Sequence, residues 1–193
     1  MAFAARAVVR YRICSTSAFR SFSHPQCGTR RWLLSSGSGA VREAYQTLRA
    51  LDGEGSVSLD VSTHAAAGVA IIRVSQPQHR NALTPAIMCG LADAVNGLES
   101  FDGRACLLTG DGGFFCAGFD LRFSAMLVPE VGAAINTLMA DTTMRLFHSR
   151  LVTAAVVERF AIGAGAELAT AADFRLMVGP EAFIQVRVFT CGC

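Results

Sequence analysis

The chain has 193 residues, of which 52% are hydrophobic and 17% charged, with a formal net charge of +2. This length and composition predict one folded domain with its own core, and they exclude a largely disordered chain. No stretch reaches the roughly 18 uncharged apolar residues that a membrane-spanning helix needs, so membrane insertion is not expected.

The charge is unevenly distributed along the chain. Residues 1–42 contain seven Arg and no Asp or Glu. An N-terminal segment that is rich in Arg and Ser and free of acids is typical of an organellar transit peptide, which predicts a mitochondrial protein, with the cytosol as the alternative. An unstructured basic tail is the second interpretation of this segment. Nucleic-acid binding is not expected, because no recognition motif or aromatic interleaving accompanies the arginines.

The seven cysteines are not arranged for metal binding. They form no CxxC pair, and no His cluster lies at metal-ligand spacing, so no metal site is predicted. Cys89 and Cys106 fall in apolar runs, which predicts small buried thiols at both positions.

The segment after the basic stretch leads into the folded domain. Residues 43–55 combine a short helical pattern with a turn and are interpreted as a linker, and the domain is expected over 56–185. Apolar residues alternate with polar ones at 57–61 and recur at 69–74. This pattern predicts two strands joined as a hairpin.

Helices and strands alternate through the rest of the chain. Thr84 followed by Pro85 predicts a helix N-terminus, and apolar residues recur at helical spacing as far as Leu98. Such alternation is typical of an α/β domain whose helices form crossover connections between strands. The other predicted elements are a strand at 105–109, a helix at 131–146, a strand at 151–157, a helix after Gly165 and a strand at 174–178.

Two short stretches of small residues each follow a predicted strand. Phe114–Leu121 follows the strand at 105–109, and Gly163–Leu168 follows the strand at 151–157. Small side chains let a ligand approach the backbone, and a helix N-terminus favours an anion. The two stretches are therefore predicted to supply the two N–H donors of an oxyanion hole. The alternative is that their glycines only permit close packing between helix and strand.

The spacing and surroundings of these two stretches resemble the crotonase superfamily, also called the enoyl-CoA hydratase/isomerase family. The resemblance runs from about residue 55 to about residue 177. It implies a ββα spiral, an acyl-CoA thioester substrate, no cofactor beyond the coenzyme A of that substrate and, for a full-length protein, a trimer-based homo-oligomer. Residues 186–193 do not resemble the family, so we expect a domain that is truncated at its C-terminus and contains only the N-terminal part of the spiral.

Enzymes of this family stabilise an enolate at the thioester carbonyl with two backbone amides. The resemblance places these amides on Phe119 and Ala164. Ala164 stands where the family usually has Gly, and Ala adopts positive φ only at a cost, so the site is expected to be tightened. The resemblance assigns further substrate contacts to Ala117, Gly118, Gly163 and Gly165.

Three other residues resemble family positions near the substrate. The segment 79–83 is similar to the part that contacts the CoA moiety, which implies substrate binding at Arg80 and Ala82. A solvated loop arginine is the alternative for Arg80. Asp120 resembles the residue that supports the first loop by hydrogen bonds, and an ordinary helix N-cap is the competing interpretation.

Glu167 matches the position of one of the two acid–base carboxylates of hydratases. Hydration needs a second carboxylate, because one group activates water and the other passes a proton to the α-carbon. The resemblance places that second group near Arg187, where no acid stands. The nearest acid is Glu181, which is predicted to lie in a turn after Gly179 and Pro180.

One string favours a particular branch of the family. Residues 165–177, above all the string Asp173–Met177, resemble the branch that decarboxylates ethylmalonyl-CoA and methylmalonyl-CoA. Loss of CO₂ from a malonyl thioester generates the enolate directly, so the oxyanion hole carries the difficult step and no base has to remove a carbon-bound proton. Glu167 would then orient the substrate or help to reprotonate the α-carbon. An enoyl-CoA hydratase or isomerase and a non-catalytic fragment are the alternatives.

Overall fold

The computed structural model describes residues 39–61, 67–126 and 128–186. The predicted transit segment lies outside the described residues except for 39–42, and so does the predicted tail except for Val186. Within the described ranges, no helix combines the length and the apolar character that crossing a membrane requires.

A five-stranded sheet forms the centre of the domain, with its strands in the same order as in the chain. The first pair is antiparallel, as the predicted hairpin requires, and each later strand runs parallel to its neighbour. Parallel neighbours need crossover connections, which confirms the α/β class. The strands are β1 (Ser56–Asp60), β2 (Val69–Ser75), β3 (Ala105–Gly110), β4 (Val152–Ile162) and β5 (Phe174–Gln185).

Within the described ranges, four α-helices accompany this sheet, at α1 (Gly39–Arg49), α2 (Pro85–Ser100), α3 (Pro129–Phe147) and α4 (Ala164–Ala171). The N-terminus of α2 is formed as predicted. The side-chain oxygen of Thr84 accepts a hydrogen bond from the backbone N–H of Ile87, and Pro85 occupies the first turn, where no N–H donor is needed. The 3-10 helices Pro77–His79 and Leu121–Met126 lie in the connections.

Alternate residues of β2, β3 and β4 are buried and form the core together with one face of the helices. Leu48 of α1 is 0% exposed and belongs to the same core. The short helix predicted in residues 43–55 is thus present within α1, and it is part of the folded unit instead of a free linker. The sequence did not indicate that α1 packs on the core, because a polar turn separates this helix from the first strand.

β5 differs most from the prediction. It continues to Gln185 instead of ending at residue 178, so Glu181 lies within a strand and its placement in a turn is wrong. Gly179 has a φ of +86° at this point, and the pairing with β4 shifts register between Glu158 and Phe160. A bulge of this kind absorbs extra residues without ending the strand.

Most of β5 is exposed to solvent. Phe174, Leu176 and Phe183 are exposed by 59%, 52% and 46%. The strand therefore presents apolar side chains on the surface, although its backbone is paired with β4 on both sides of the bulge.

Candidate active site

The first loop runs beside residues 80–83 and is joined to them by backbone hydrogen bonds. Residues 80–83 are called the template of the loop below. The N–H of Leu83 donates to the carbonyl of Gly118 over 2.7 Å, and the N–H of Asp120 donates to the carbonyl of Leu83 over 3.1 Å. The N–H of Ala117 donates to the carbonyl of Arg80 over 3.0 Å. These bonds fix the loop along the whole template.

The template determines where the amide of Phe119 points. No peptide bond among the described residues is cis. In a trans peptide the C=O and the following N–H point in opposite directions. The carbonyl of Gly118 points at Leu83, so the N–H of Phe119 points directly away from the template.

The other side of the first loop is bonded to the end of β4. The N–H of Cys116 donates to the carbonyl of Phe160 over 3.2 Å, and the N–H of Ile162 donates to the carbonyl of Cys116 over 3.1 Å. The N–H of Phe115 donates to the carbonyl of Glu158 over 3.0 Å. The loop is thus held between two segments, as a short strand would be.

The second loop turns sharply at Gly163, and α4 begins at the next residue. Gly163 has a φ of 54° and a ψ of −122°, and its carbonyl accepts hydrogen bonds from the N–H groups of Ala166 and Glu167 over 2.8 and 3.1 Å. Its carbonyl therefore points into the helix, and the N–H of Ala164 points out of the N-terminal end.

The alanine at position 164 carries no conformational penalty. The positive φ of this turn falls on Gly163, and Ala164 is not among the described residues with positive φ. The expected cost of Ala at this position is therefore absent, because the residue already has the φ of a first helical turn.

The two loops approach more closely than side chains would allow. A Cβ on Gly118 would lie 2.5 Å from the carbonyl oxygen of Ile162 and 3.6 Å from the nitrogen of Ala164. A Cβ on Gly165 would lie 2.6 Å from the carbonyl oxygen of Cys116. These glycines do permit close packing, as the alternative interpretation holds, and the same packing brings the peptide before Phe119 next to the amide of Ala164.

Neither donor amide is occupied within the described part of the chain. The hydrogen bonds there include none from the N–H of Phe119 or of Ala164. Unoccupied N–H groups near the N-terminus of a helix can stabilise a negatively charged oxygen through hydrogen bonds and the helix dipole.

Asp120 caps the turn that follows the first loop. One of its carboxylate oxygens accepts from the N–H of Arg122 over 3.0 Å, and its backbone carbonyl accepts from the N–H of Phe123 over 3.0 Å. The guanidinium of Arg122 also binds this carboxylate, and these hydrogen bonds lower the pKa of Asp120. The carboxylate thus forms an N-cap, and the hydrogen bond that fixes the loop to Leu83 comes from the backbone N–H of Asp120.

Arg80 and Ala82, both in the segment 79–83, differ in their exposure to solvent. Arg80 is exposed, and its side chain has no hydrogen bond or ion pair to another described residue. Ala82 is buried, between the turn at Arg80 and the template residue Leu83. The backbone of this segment contacts the first loop, while the guanidinium of Arg80 faces solvent.

Glu167 lies on the first turn of α4, and its side chain is exposed. It follows Ala164 by three residues, a spacing that puts both on neighbouring positions of one helix face. Glu181 is also exposed, on β5.

The profile of the enoyl-CoA hydratase/isomerase family matches residues 64–188. The chain belongs to the enoyl-CoA hydratase/isomerase family.

Named relatives of this family member share its sequence over part of their length. Ethylmalonyl-CoA decarboxylase of Danio rerio is 39% identical over 131 residues, which cover 66% of this chain and 43% of that protein. Ethylmalonyl-CoA decarboxylase of Homo sapiens is 34% identical over 145 residues, which cover 74% of this chain and 46% of that protein. The chain therefore spans less than half the length of these two relatives.

Solved structures confirm the crotonase fold. The enoyl-CoA hydratase of Thermoplasma volcanium GSS1 matches with a TM-score of 0.60 and 28% identity, over 67% of this chain and 50% of that chain. The five-stranded sheet and its crossover helices thus correspond to part of the fold of that hydratase.

Two residues of this site were missed by reasoning from the sequence. Arg122 binds Asp120 and also contacts His79 over 2.8 Å and Glu54 over 3.5 Å. Cys116 is buried, which raises the pKa of its thiol to about 12, and its sulfur accepts from the N–H of Gly118 over 3.4 Å. The position of Cys116, between two phenylalanines and the small residues, was the signal available in the sequence.

Proposed function

We propose that this chain binds an acyl-CoA thioester and stabilises an enolate at its carbonyl oxygen with the backbone N–H groups of Phe119 and Ala164. The observation that carries this proposal is the meeting of the two loops, each with an unoccupied amide that points away from its own element. One well-placed donor of this kind contributes about 2.7–4 kcal/mol of transition-state stabilisation.

We further propose that the reaction is the decarboxylation of a malonyl thioester such as ethylmalonyl-CoA. The bond between the α-carbon and the carboxylate breaks, CO₂ leaves, and the electron pair of that bond becomes the enolate that the two amides stabilise. The α-carbon then takes up a proton. The names of the two relatives support this choice.

Glu167 is proposed to orient the substrate or to help return the proton. It lies on the first turn of α4, three residues after the second proposed donor, and Glu181 lies on β5. A single carboxylate next to the oxyanion hole is enough for decarboxylation, whereas hydration needs two groups in different protonation roles.

Arg80 is proposed to bind a phosphate of the CoA moiety. The side chain is exposed and unpaired within the described residues, and the backbone of Arg80 is hydrogen-bonded to the first loop. A guanidinium in such a position offers several donors to a phosphate.

The purified chain should convert ethylmalonyl-CoA to butyryl-CoA with release of CO₂, which mass spectrometry and gas detection measure directly. The comparison uses Glu167→Gln and, as a matched control, Glu130→Gln, an exposed acid in the first turn of α3. The control should keep full activity, and Glu167→Gln should keep part of the decarboxylation. No CO₂ from the unmodified chain would contradict the proposal.

Crotonyl-CoA separates the alternatives. Rapid hydration of crotonyl-CoA that disappears in Glu167→Gln would identify a hydratase instead. Binding of butyryl-CoA raises the thermal unfolding midpoint of a chain with a formed pocket, so no shift at saturating butyryl-CoA would favour a fragment without activity.

A further inference from the structure

Asn81 lies at the centre of a buried group of hydrogen bonds beside the first loop. Its side chain is 0% exposed. The carbonyl oxygen of its amide accepts from the N–H of Gln76 over 2.8 Å, and the nitrogen donates to the carbonyls of Asp111 and Phe114 over 2.9 and 2.7 Å. Two of these bonds tie the turn at residues 80–81 to both ends of the segment 111–114, and the third binds the turn to Gln76.

The backbone of Asn81 also requires a special residue. Its φ is 56°, in the left-handed region, where Asn is tolerated better than most other residues with a side chain. Arg80 has a similar φ of 54°. The two residues form the turn at the start of the template, between the 3-10 helix Pro77–His79 and residues 82–83.

These hydrogen bonds connect Asn81 indirectly, through the template and the loop, to the N–H of Phe119, which is the first proposed donor. The template orients the amide of Phe119, because the carbonyl of Gly118 and the N–H of Asp120 both bond to Leu83. Asn81 belongs to the same template and binds the start of the same loop at Phe114. The loop and its template are therefore fixed to one another at both ends, and the amide side chain of Asn81 forms one of these two attachments.

We propose that Asn81 is a positioning residue that holds the N–H of Phe119 in the direction needed for the oxyanion hole. The proposal rests on the proposed function, since it assigns a purpose to the orientation of that amide. The effect of Asn81 on the first loop can nevertheless be measured without any substrate.

The first experiment is amide hydrogen exchange, measured by NMR on the ligand-free chain. Asn81→Gly keeps the left-handed φ accessible and removes the three side-chain hydrogen bonds. The amides of Ala117 and Asp120, which bond to the template, should then exchange about tenfold faster, as expected when buried hydrogen bonds that hold the loop are lost. The amide of Cys116, which bonds to β4, should keep its protection.

Thr153→Val is the matched control. Thr153 is also a buried polar residue, and its hydroxyl and backbone exchange hydrogen bonds with Asp173 at the far end of β4. This variant should leave the exchange of Ala117 and Asp120 unchanged. Should Asn81→Gly fail to fold, Asn81→Asp keeps the shape and the acceptor toward Gln76 and replaces the donor toward Phe114. Unchanged exchange at Ala117 and Asp120 in a folded Asn81 variant would overturn the proposal.

The second experiment measures the orientation of the donor itself. Butyryl-CoA labelled with ¹³C at the thioester carbonyl is the probe, and infrared spectroscopy records the lowering of its carbonyl stretching frequency on binding. The unmodified chain and Thr153→Val should show the same lowering, and Asn81→Gly should lose at least about half of it. A full shift in Asn81→Gly would overturn the proposal for Asn81 alone. No shift even in the unmodified chain would overturn the proposed function, together with the role that Asn81 has in it.

Discussion

The first loop and β5 are opposite in character, although both adjoin β4. The first loop has no regular secondary structure over residues 111–120, yet Phe115, Cys116 and Asp120 are buried and its backbone is bonded on both sides. β5 is a regular strand of 12 residues, yet nearly all of its side chains are exposed. Regular hydrogen bonding thus says little about how firmly a segment is held, and burial together with bonds to two neighbours says more.

The largest expected effect on activity is that of Gly118→Ala in the first loop. Gly118 has a φ of +89°, and a Cβ there would lie 2.5 Å from the carbonyl oxygen of Ile162. Because a backbone atom cannot move aside cheaply, we expect a loss of about 2–4 kcal/mol in the free energy of unfolding. Activity toward ethylmalonyl-CoA should fall about 100-fold or more, since the first donor is displaced. Urea unfolding and the CO₂ assay measure the two effects.

Gly113→Ala is the control for this change. Gly113 lies in the same loop with a φ of +79°, and nothing lies within 4 Å of a Cβ there. The φ strain alone should cost about 1 kcal/mol and leave activity nearly unchanged. Equal losses at Gly113 and Gly118 would show that the close approach of the two loops has no special importance.

Replacement of leucines tests the difference in burial between β5 and the core. Leu108 of β3 is 3% exposed and Leu176 of β5 is 52% exposed. Leu108→Ala should lower the free energy of unfolding by about 2–5 kcal/mol, because it removes buried methyl groups and leaves a cavity. Leu176→Ala should change it by at most about 0.5 kcal/mol. A loss at Leu176 as large as that at Leu108 would mean that β5 is covered in solution.

A smaller effect is expected from the buried thiols. Cys116 contacts both loops, since its sulfur accepts from Gly118 and would lie 2.9 Å from a Cβ on Gly165. Cys89 is equally buried but lies in α2. Cys116→Ala should lower kcat about tenfold, the change produced by a small displacement of a donor, with KM little changed. Cys89→Ala should lower stability to a similar extent and leave kcat unchanged.

The smallest expected effect is the pH dependence of Asp120. The pKa of its carboxyl is lowered in the folded chain, mainly by the hydrogen bonds from Arg122. A lowered folded pKa adds stability above the unfolded value of about 3.9, and this stability is lost as the pH falls through the folded pKa. Asp120→Asn should therefore be less stable than the unmodified chain at pH 7, and the difference should shrink below about pH 4. A difference independent of pH would contradict this origin.

Local sequence signals were enough to predict most elements of the fold. The cap at Thr84 and the proline after it identified the start of α2, and the small residues identified both loops. The extent of β5 was not predictable, because Gly179 and Pro180 have the composition of a turn and only the pairing with β4 makes them a bulge. Local patterns report local conformation, and pairing between distant residues decides the rest.

The two loops were recognisable in the sequence, but the contacts that hold them were not. The hydrogen bond between Asn81 and Phe114 joins residues 33 positions apart, and no local pattern indicates it. The sequence also did not show that the positive φ falls on Gly163 and not on Ala164, since a run of small residues allows the turn at either position. Reasoning from residue types alone therefore misplaced the expected strain by one residue.

The convergence of Phe119 and Ala164 on one thioester oxygen is tested most directly by an NMR titration of the chain with butyryl-CoA. Both amide protons should shift downfield together and follow the same binding curve, while the amide of Ala117, which is bonded to Arg80, should stay nearly unchanged. A titration in which butyryl-CoA binds but only one of the two amides responds, or neither does, would contradict the two-donor oxyanion hole.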